Sequence, residues 1–252
     1  MTGAWIEDLT WPEVEAHLKA SAHVVVPIGA RAKEHGHHLP LKTDFMLARA
    51  LCDGIIAALP VLVAPVVDFG YYPAFADYPG SQHLRAETFI ALIEELIEPF
   101  IRHGARAISI LNTGVSTERP IGIAVSNLQA RHGVQIAVAD IRRLGMASNT
   151  ILEQKVGGHG DERETSIMLA IDPTVVRLER ARQDYGHAMQ EPATVFYRPV
   201  RFSDDPNSGS NYSATGVRGD PTLASAEKGR IILAAQIADL VEGLRKLDPA
   251  LS

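Results

Sequence analysis

Residues 30 to 44, ARAKEHGHHLPLKTD, place three histidines and two carboxylates within eleven positions, directly after the apolar run VVVPIG. Neutral imidazole and carboxylate are the usual ligands of zinc, manganese and iron in hydrolytic sites, and a loop leaving a buried strand holds them with little freedom. Glu34, His35, His37, His38 and Asp44 are all candidate ligands, more than one ion can use. Taken singly, each has a plainer reading: Asp44 precedes an apolar helical pattern and suits an N-cap, and a loop histidine is usually solvated. As a cluster they point to a metal. A second group, GGHGDERETS at 157 to 166, brings His159, Asp161, Glu162 and Glu164. ERETS also reads as the charged first turn of a helix continuing through IMLAI, so this group matters only if it meets the first in space.

The surrounding elements must supply that meeting. Thr10 and Glu13 form a capping-box pattern that opens a short helix through WPEVEAHLKA. VVVPIG (24 to 29) reads as a buried strand, 45 to 59 as a helix stopped by Pro60, and VLVAPV (61 to 66) as a strand. Phe89, Leu92, Ile93, Leu96, Ile97 and Phe100 repeat at helical spacing within 85 to 103, and Gly104 ends that helix. AISIL (107 to 111), a helical stretch over 119 to 132 and VQIAVAD (134 to 140) follow. The strands are continuously apolar, as a parallel sheet covered on both faces requires. Their alternation with helices predicts an α/β fold, a three-layer α/β/α sandwich with a mainly parallel central sheet, as a single domain over 1 to 252. Residues 203 to 219 are too polar and glycine-rich for the core and read as a long functional or surface loop. A final helix is expected from Asp220 and Pro221, with Leu233, Ile237, Val241 and Leu244 as its apolar stripe. In open parallel sheets ligands bind beyond the carboxyl ends of the strands, where the histidine-rich loop lies.

Composition narrows the function classes. The formal net charge of −6 disfavours nucleic acid and anionic membrane as partners, since both attract a basic surface. No apolar run is long enough to span a bilayer, and MTGAWIEDLTWPEVE carries no secretory pattern. Cys52 is the single cysteine, which excludes an internal disulfide framework and any CxxC site, and a cytoplasmic protein is expected. Within FMLARALCDGIIAAL that thiol reads as a small buried side chain. No GxGxxG follows a strand, and neither GxxxxGK[ST] nor GxSxG is present, so nucleotide and serine-hydrolase readings fall away.

Together these segments resemble the creatininase (creatinine amidohydrolase) family. GARAKEHGHHLPLKTD stands where the family has a motif close to GSxEQHGPHLPLxTD, HGDERETSIML where it has HAGExETSxML, and GVRGDPTLASAEKG where it has GVxGDPxxAsxekG. YPGS at 78 to 81 is similar to the family's FPGT. The matches keep family order over nearly the whole chain. The resemblance implies an α/β/α sandwich, a homo-oligomer, often a hexamer, and one or two divalent ions, zinc, manganese or iron, at the strand ends. It implies hydrolysis of C–N bonds in cyclic amides, formamides or peptides, although one member acts on a dehydro-inosose sugar. By motif position His35 and Asp44 correspond to metal ligands, Asp44 being the bridging one when two ions are present. Glu162 matches the acidic residue of HAGE, a ligand in members of this type, and His159 matches a histidine proposed to shuttle a proton. Asp161 or Glu164 could orient that imidazole.

Two departures stand out. The family's ligand glutamate lies two residues before the HG histidine, where this chain has Lys33; Glu34 comes one residue later. Where many members carry NGHGGN with a ligand histidine, this chain reads LNTGVST (111 to 117). Glu34 or His37 is left to complete the metal shell, while Lys33, Asn112 and Thr113 become candidates for substrate binding. The leading expectation is a metal-dependent hydrolase that cleaves an amide-type C–N bond of a small, polar, cyclic substrate through activated water, with His159 moving the proton. The alternatives are metal-dependent ring opening, C–C hydrolysis or elimination on a carbohydrate-derived ketone or lactone, and a non-enzymatic binding protein that has lost a ligand.

Overall fold

The computed structural model describes residues 2–20, 22–186, 200–208 and 211–251. Five strands form one sheet in the order β1-β3-β2-β4-β5: β1 Ala4–Trp5, β2 His23–Ile28, β3 Leu62–Val63, β4 Ala107–Asn112 and β5 Ile136–Asp140. Every pairing is parallel. The six helices are α1 Trp11–Lys19, α2 Thr43–Ala58, α3 Ala86–Arg102, α4 Glu118–His132, α5 Glu162–Ile171 and α6 Ala226–Leu247. None of the described helices is long and apolar enough to cross a membrane.

Alternation along β2 decides the layering. Val24, Val26 and Ile28 pack with Leu18 of α1, Phe89, Ile93 and Ile97 of α3, and Ile121 and Leu128 of α4. Val25 faces the opposite way, with Leu51 and Ile55 of α2, Ile167 and Met168 of α5, and Ile232, Leu240 and Leu244 of α6. Adjacent residues of a strand point to opposite faces, so two helical layers cover one sheet and the strands carry no polar face. This is the three-layer α/β/α sandwich expected from the alternating elements.

The chain pairs β3 on one side of β2 and then returns to pair β4 on the other. Strand order therefore reverses at β2, and the crevice for a ligand opens beyond the ends of β2 and β4, where Ile28 and Asn112 lie in register. The histidine-rich loop leaves β2 at that point.

Several element boundaries differ from expectation. The strand expected over 61 to 66 is only Leu62–Val63, because Pro65 has no N–H for a ladder, and Val67 rejoins Ile28 through a lone bridge. The last helix begins at Ala226 with Ser225 as its cap; Asp220 instead caps a short 3-10 turn, Pro221–Leu223. The capping box is present: the Thr10 N–H donates to Glu13 Oε2 at 2.7 Å. The polar segment 203 to 219, apart from residues 209 and 210, carries a two-residue pairing of Phe202–Ser203 with Asn211–Tyr212 and then runs against the site.

Candidate metal centre

His35, Glu34 and Lys33 are fixed by a tight chain path. The Lys33 N–H donates to the Leu41 carbonyl, closing the loop on itself. The Lys33 carbonyl in turn accepts from Nδ1 of His35 at 3.0 Å. That bond leaves Nε2 of His35 facing Asp44 Oδ1, also at 3.0 Å. A ring nitrogen held by a backbone carbonyl on its far side is the usual support of a metal-ligating histidine. A cation bound between them would be shared by the Nε2 lone pair and the carboxylate. Two ligands bound at about 2.0–2.2 Å lie at this sort of separation.

His159 arrives from the opposite side. It precedes α5, whose N-cap Asp161 accepts the Glu164 N–H, and its main chain pairs with Arg218. Its Nε2–H donates to Glu34 Oε1 at 2.6 Å, and its Nδ1 stands 3.9 Å from Glu164 Oε2. The rings of His35 and His159 lie 4.7 Å apart. His35, His159 and Glu164 each offer a ligand atom, and those atoms all lie within 4.8 Å of one another. Among the described residues this is the group of three or more such side chains that could hold an ion.

The electrostatics also favour a cation. Glu34, Asp44 and Glu164 converge with one ammonium, Lys33, whose Nζ donates to Asp44 Oδ2 at 2.6 Å. Burial would raise the Asp44 pKa, but Lys33 and His35 outweigh it and hold the carboxyl well below its usual range. Burial would lower those of Lys33 and His159, yet the surrounding carboxylates keep both above their ordinary values. Burial would likewise raise that of Glu34, and His159 with the Gly36 N–H lowers it instead. Carboxylates buried to this degree are stable only with positive charge beside them.

The other expected site residues lie elsewhere. Glu162, expected as a ligand, is wholly buried on the far side of the α5 start: Lys228 donates to its Oε1 at 2.5 Å, and the N–H groups of Glu153 and Gln154 donate to its Oε2. Its acceptors are committed, so it anchors α6 and the 153–154 loop, and Glu164 is the carboxylate that faces the histidines. His37, expected to supply a missing nitrogen, is exposed beside Arg180 and Arg182. Asn112 and Thr113 were candidates for substrate binding, but both spend their polar atoms on backbone and loop. Asn112 ties Gly114 and Thr117, while the Thr113 hydroxyl donates to the Ile28 carbonyl. Lys33, the third such candidate, is bound to Asp44. Asp161 caps a helix; Glu34 is the carboxylate that orients His159.

Phe75 and Gly216, outside the sequence-based set, and His38, one of the candidate ligands, also shape the centre. Phe75 lies over His159 with ring centroids 4.1 Å apart, on a loop whose Tyr72 and Tyr78 are also buried. His38 is fully buried, its Nε2 against Thr165 Oγ1 at 2.8 Å and its Nδ1 without a partner. Gly216, at φ +78°, brings backbone so close to Glu34 that an added Cβ would stand 2.1 Å from Oε2. The histidine cluster had named His38, whereas Phe75 and Gly216 meet the centre through long-range packing. On its outer side Glu164 opens into a cleft lined by Val115, Met146, Gln154, Val156 and Arg163.

The family model described as creatinine amidohydrolase matches residues 7–244. The chain belongs to the creatininase family. By that membership it is a metal-dependent hydrolase. Creatinine amidohydrolase of Pseudomonas putida is 27% identical, with 97% of each chain covered. Mycofactocin precursor peptide peptidase of Mycobacterium tuberculosis (strain ATCC 25618 / H37Rv) is 29% identical over 91% of this chain and 87% of its own. Among solved structures, a mutant creatininase of the Zn-Zn type superposes with a TM-score of 0.82 at 26% identity, covering 99% of this chain and 100% of that one. A manganese creatininase gives 0.81 at 26% identity, with 98% and 99% covered. Creatininase structures thus include zinc and manganese forms, and this chain carries a His/Glu cluster that could hold such an ion.

Proposed function

We propose that this creatininase-family chain hydrolyses an amide-type C–N bond of a small polar substrate held in the cleft beside Glu164, with a divalent ion on His35, His159 and Glu164. The observation that carries the reading is the convergence of those three side chains from two distant segments within 4.8 Å. The family relatives support the bond type, since one is an amidohydrolase and another a peptidase. An ion bound there supplies Lewis-acid charge to polarise a carbonyl and acidify water. The protein's own groups do the rest. Glu34 accepts the hydrogen bond from Nε2–H of His159 and so fixes that ring with Nδ1 toward Glu164. Phe75 shields the imidazole from solvent, and the Lys33–Asp44 pair holds His35 in place. A cyclic substrate and self-association, as a hexamer by resemblance, belong to the same reading.

The test is a screen of cyclic amides, formamides and short peptides for metal-dependent release of ammonia, formate or amine. Turnover should vanish with chelator and return with zinc or manganese. Turnover that survives chelation would sink the proposal; carbohydrate lactone or ketone cleavage without amine release would favour C–C or ring-opening chemistry instead.

A further inference from the structure

The Lys33–Asp44 pair is the least expected contact in the centre. Both side chains are almost wholly enclosed, at 6% and 3% exposure. Both Asp44 oxygens are in use: Oδ2 accepts from the Lys33 ammonium at 2.6 Å, and Oδ1 lies 3.0 Å from His35. The side chain of Lys33 is almost wholly enclosed, with its ammonium 5.3 Å from the centroid of the Phe75 ring. An ion placed on Oδ2 would therefore have to share that oxygen with a fixed positive charge in a site that screens poorly.

The end of β4 offers such an ion nothing in return. Asn112 and Thr113 satisfy their own loop, and the segment 111–117 contains neither imidazole nor carboxylate. We infer that the Lys33 ammonium is a resident cation that takes the place of a second metal ion on Asp44, making this creatininase-family centre mononuclear, in contrast to the Zn-Zn form of its relative. Lys33 is thus a positioning residue: it neutralises Asp44 and keeps it aligned with His35, a charge that elsewhere an ion would have to supply. The inference rests on the metal-hydrolase reading above, but the two can fail separately.

The experiment counts ions. Purified chain is stripped with chelator, loaded with excess zinc or manganese, passed through a desalting column and analysed for metal per polypeptide; unfolding temperature is measured with and without the ion. Wild type should retain one ion per chain. Lys33→Gln, stripped, should unfold about 10 °C lower because buried Asp44 loses the ammonium on Oδ2, and zinc should restore that loss while the count rises towards two. Lys33→Arg keeps the charge and should stay at one, which preserves the test if Lys33→Gln does not fold. Two ions in wild type or in Lys33→Arg, or a Lys33→Gln protein whose stability and count are unchanged, would overturn the inference. No ion in wild type but one in Lys33→Gln would uphold the role of Lys33 and defeat the metal-hydrolase reading. No ion in any of the three proteins defeats both.

Discussion

Glu162 and Glu164, two residues apart at the start of α5, face opposite surroundings. Glu162 is closed off by Lys228 and two backbone N–H groups, whereas Glu164 stands 3.9 Å from His159 Nδ1 beside an open cleft. Two steps along a helix rotate a side chain by roughly 200°, so the pair cannot share one site.

Their substitutions should therefore separate. Glu162→Gln leaves Lys228 with a weaker partner and should lower unfolding free energy by about 2–4 kcal/mol in urea, with metal affinity nearly unchanged. Glu164→Gln should keep its stability and lose at least about 100-fold in zinc affinity, measured by competition with a chromophoric chelator. Equal metal loss in both would contradict the separation.

The α5–α6 contact that sets this geometry has a sharp steric test. A Cβ on Gly229 would lie 1.8 Å from the Ser166 carbonyl oxygen, which is backbone and cannot turn aside. Gly229→Ala should cost about 3 kcal/mol by forcing the helices apart, and metal affinity should fall with it because α5 carries Glu164. Calorimetry and metal titration of the variant check both effects.

His38 gives a pH dependence. Burial pushes its pKa down to about 4, so the native ring stays neutral while the unfolded ring titrates near 6.5. This native preference contributes fully above pH 6.5 and is lost as pH falls from there towards 4, since only the unfolded chain takes up the proton. The loss should be on the order of 2–3 kcal/mol. Denaturant curves at pH 7.5, 5.5 and 4.5 in chelator should show it, and His38→Asn should show a flatter profile. An identical slope in the variant would rule out His38 as its source.

The parts of this arrangement visible in sequence are those that depend on local pattern. Continuous apolar strands announced a parallel sheet covered on both sides, and imidazoles clustered after β2 marked the crevice where Asp44 and His35 now meet. Family resemblance singled out His159 as a proton shuttle, and its ring lies 4.7 Å from that of His35. What depends on long-range packing was not legible. Nothing local distinguishes Glu162 from Glu164, because Lys228, the partner that claims the first, lies 66 residues away. Lys33 reads as a substrate-binding candidate until Asp44 is brought to it by the first turn of α2. Asn112 and Thr113 look like ligand-binding side chains because their backbone partners are invisible in a one-dimensional string. The short β3 shows the same limit from the other direction: apolar content at 61 to 66 promised a strand, and Pro65 interrupted its ladder.

The most direct measurement is anomalous diffraction at the zinc or manganese edge from crystals grown with the ion. One peak per chain, bounded by His35, His159 and Glu164 and separated from Glu162, is the expected result. A crystal with the ion in excess and no peak there, or a peak seated on Glu162, would contradict the account.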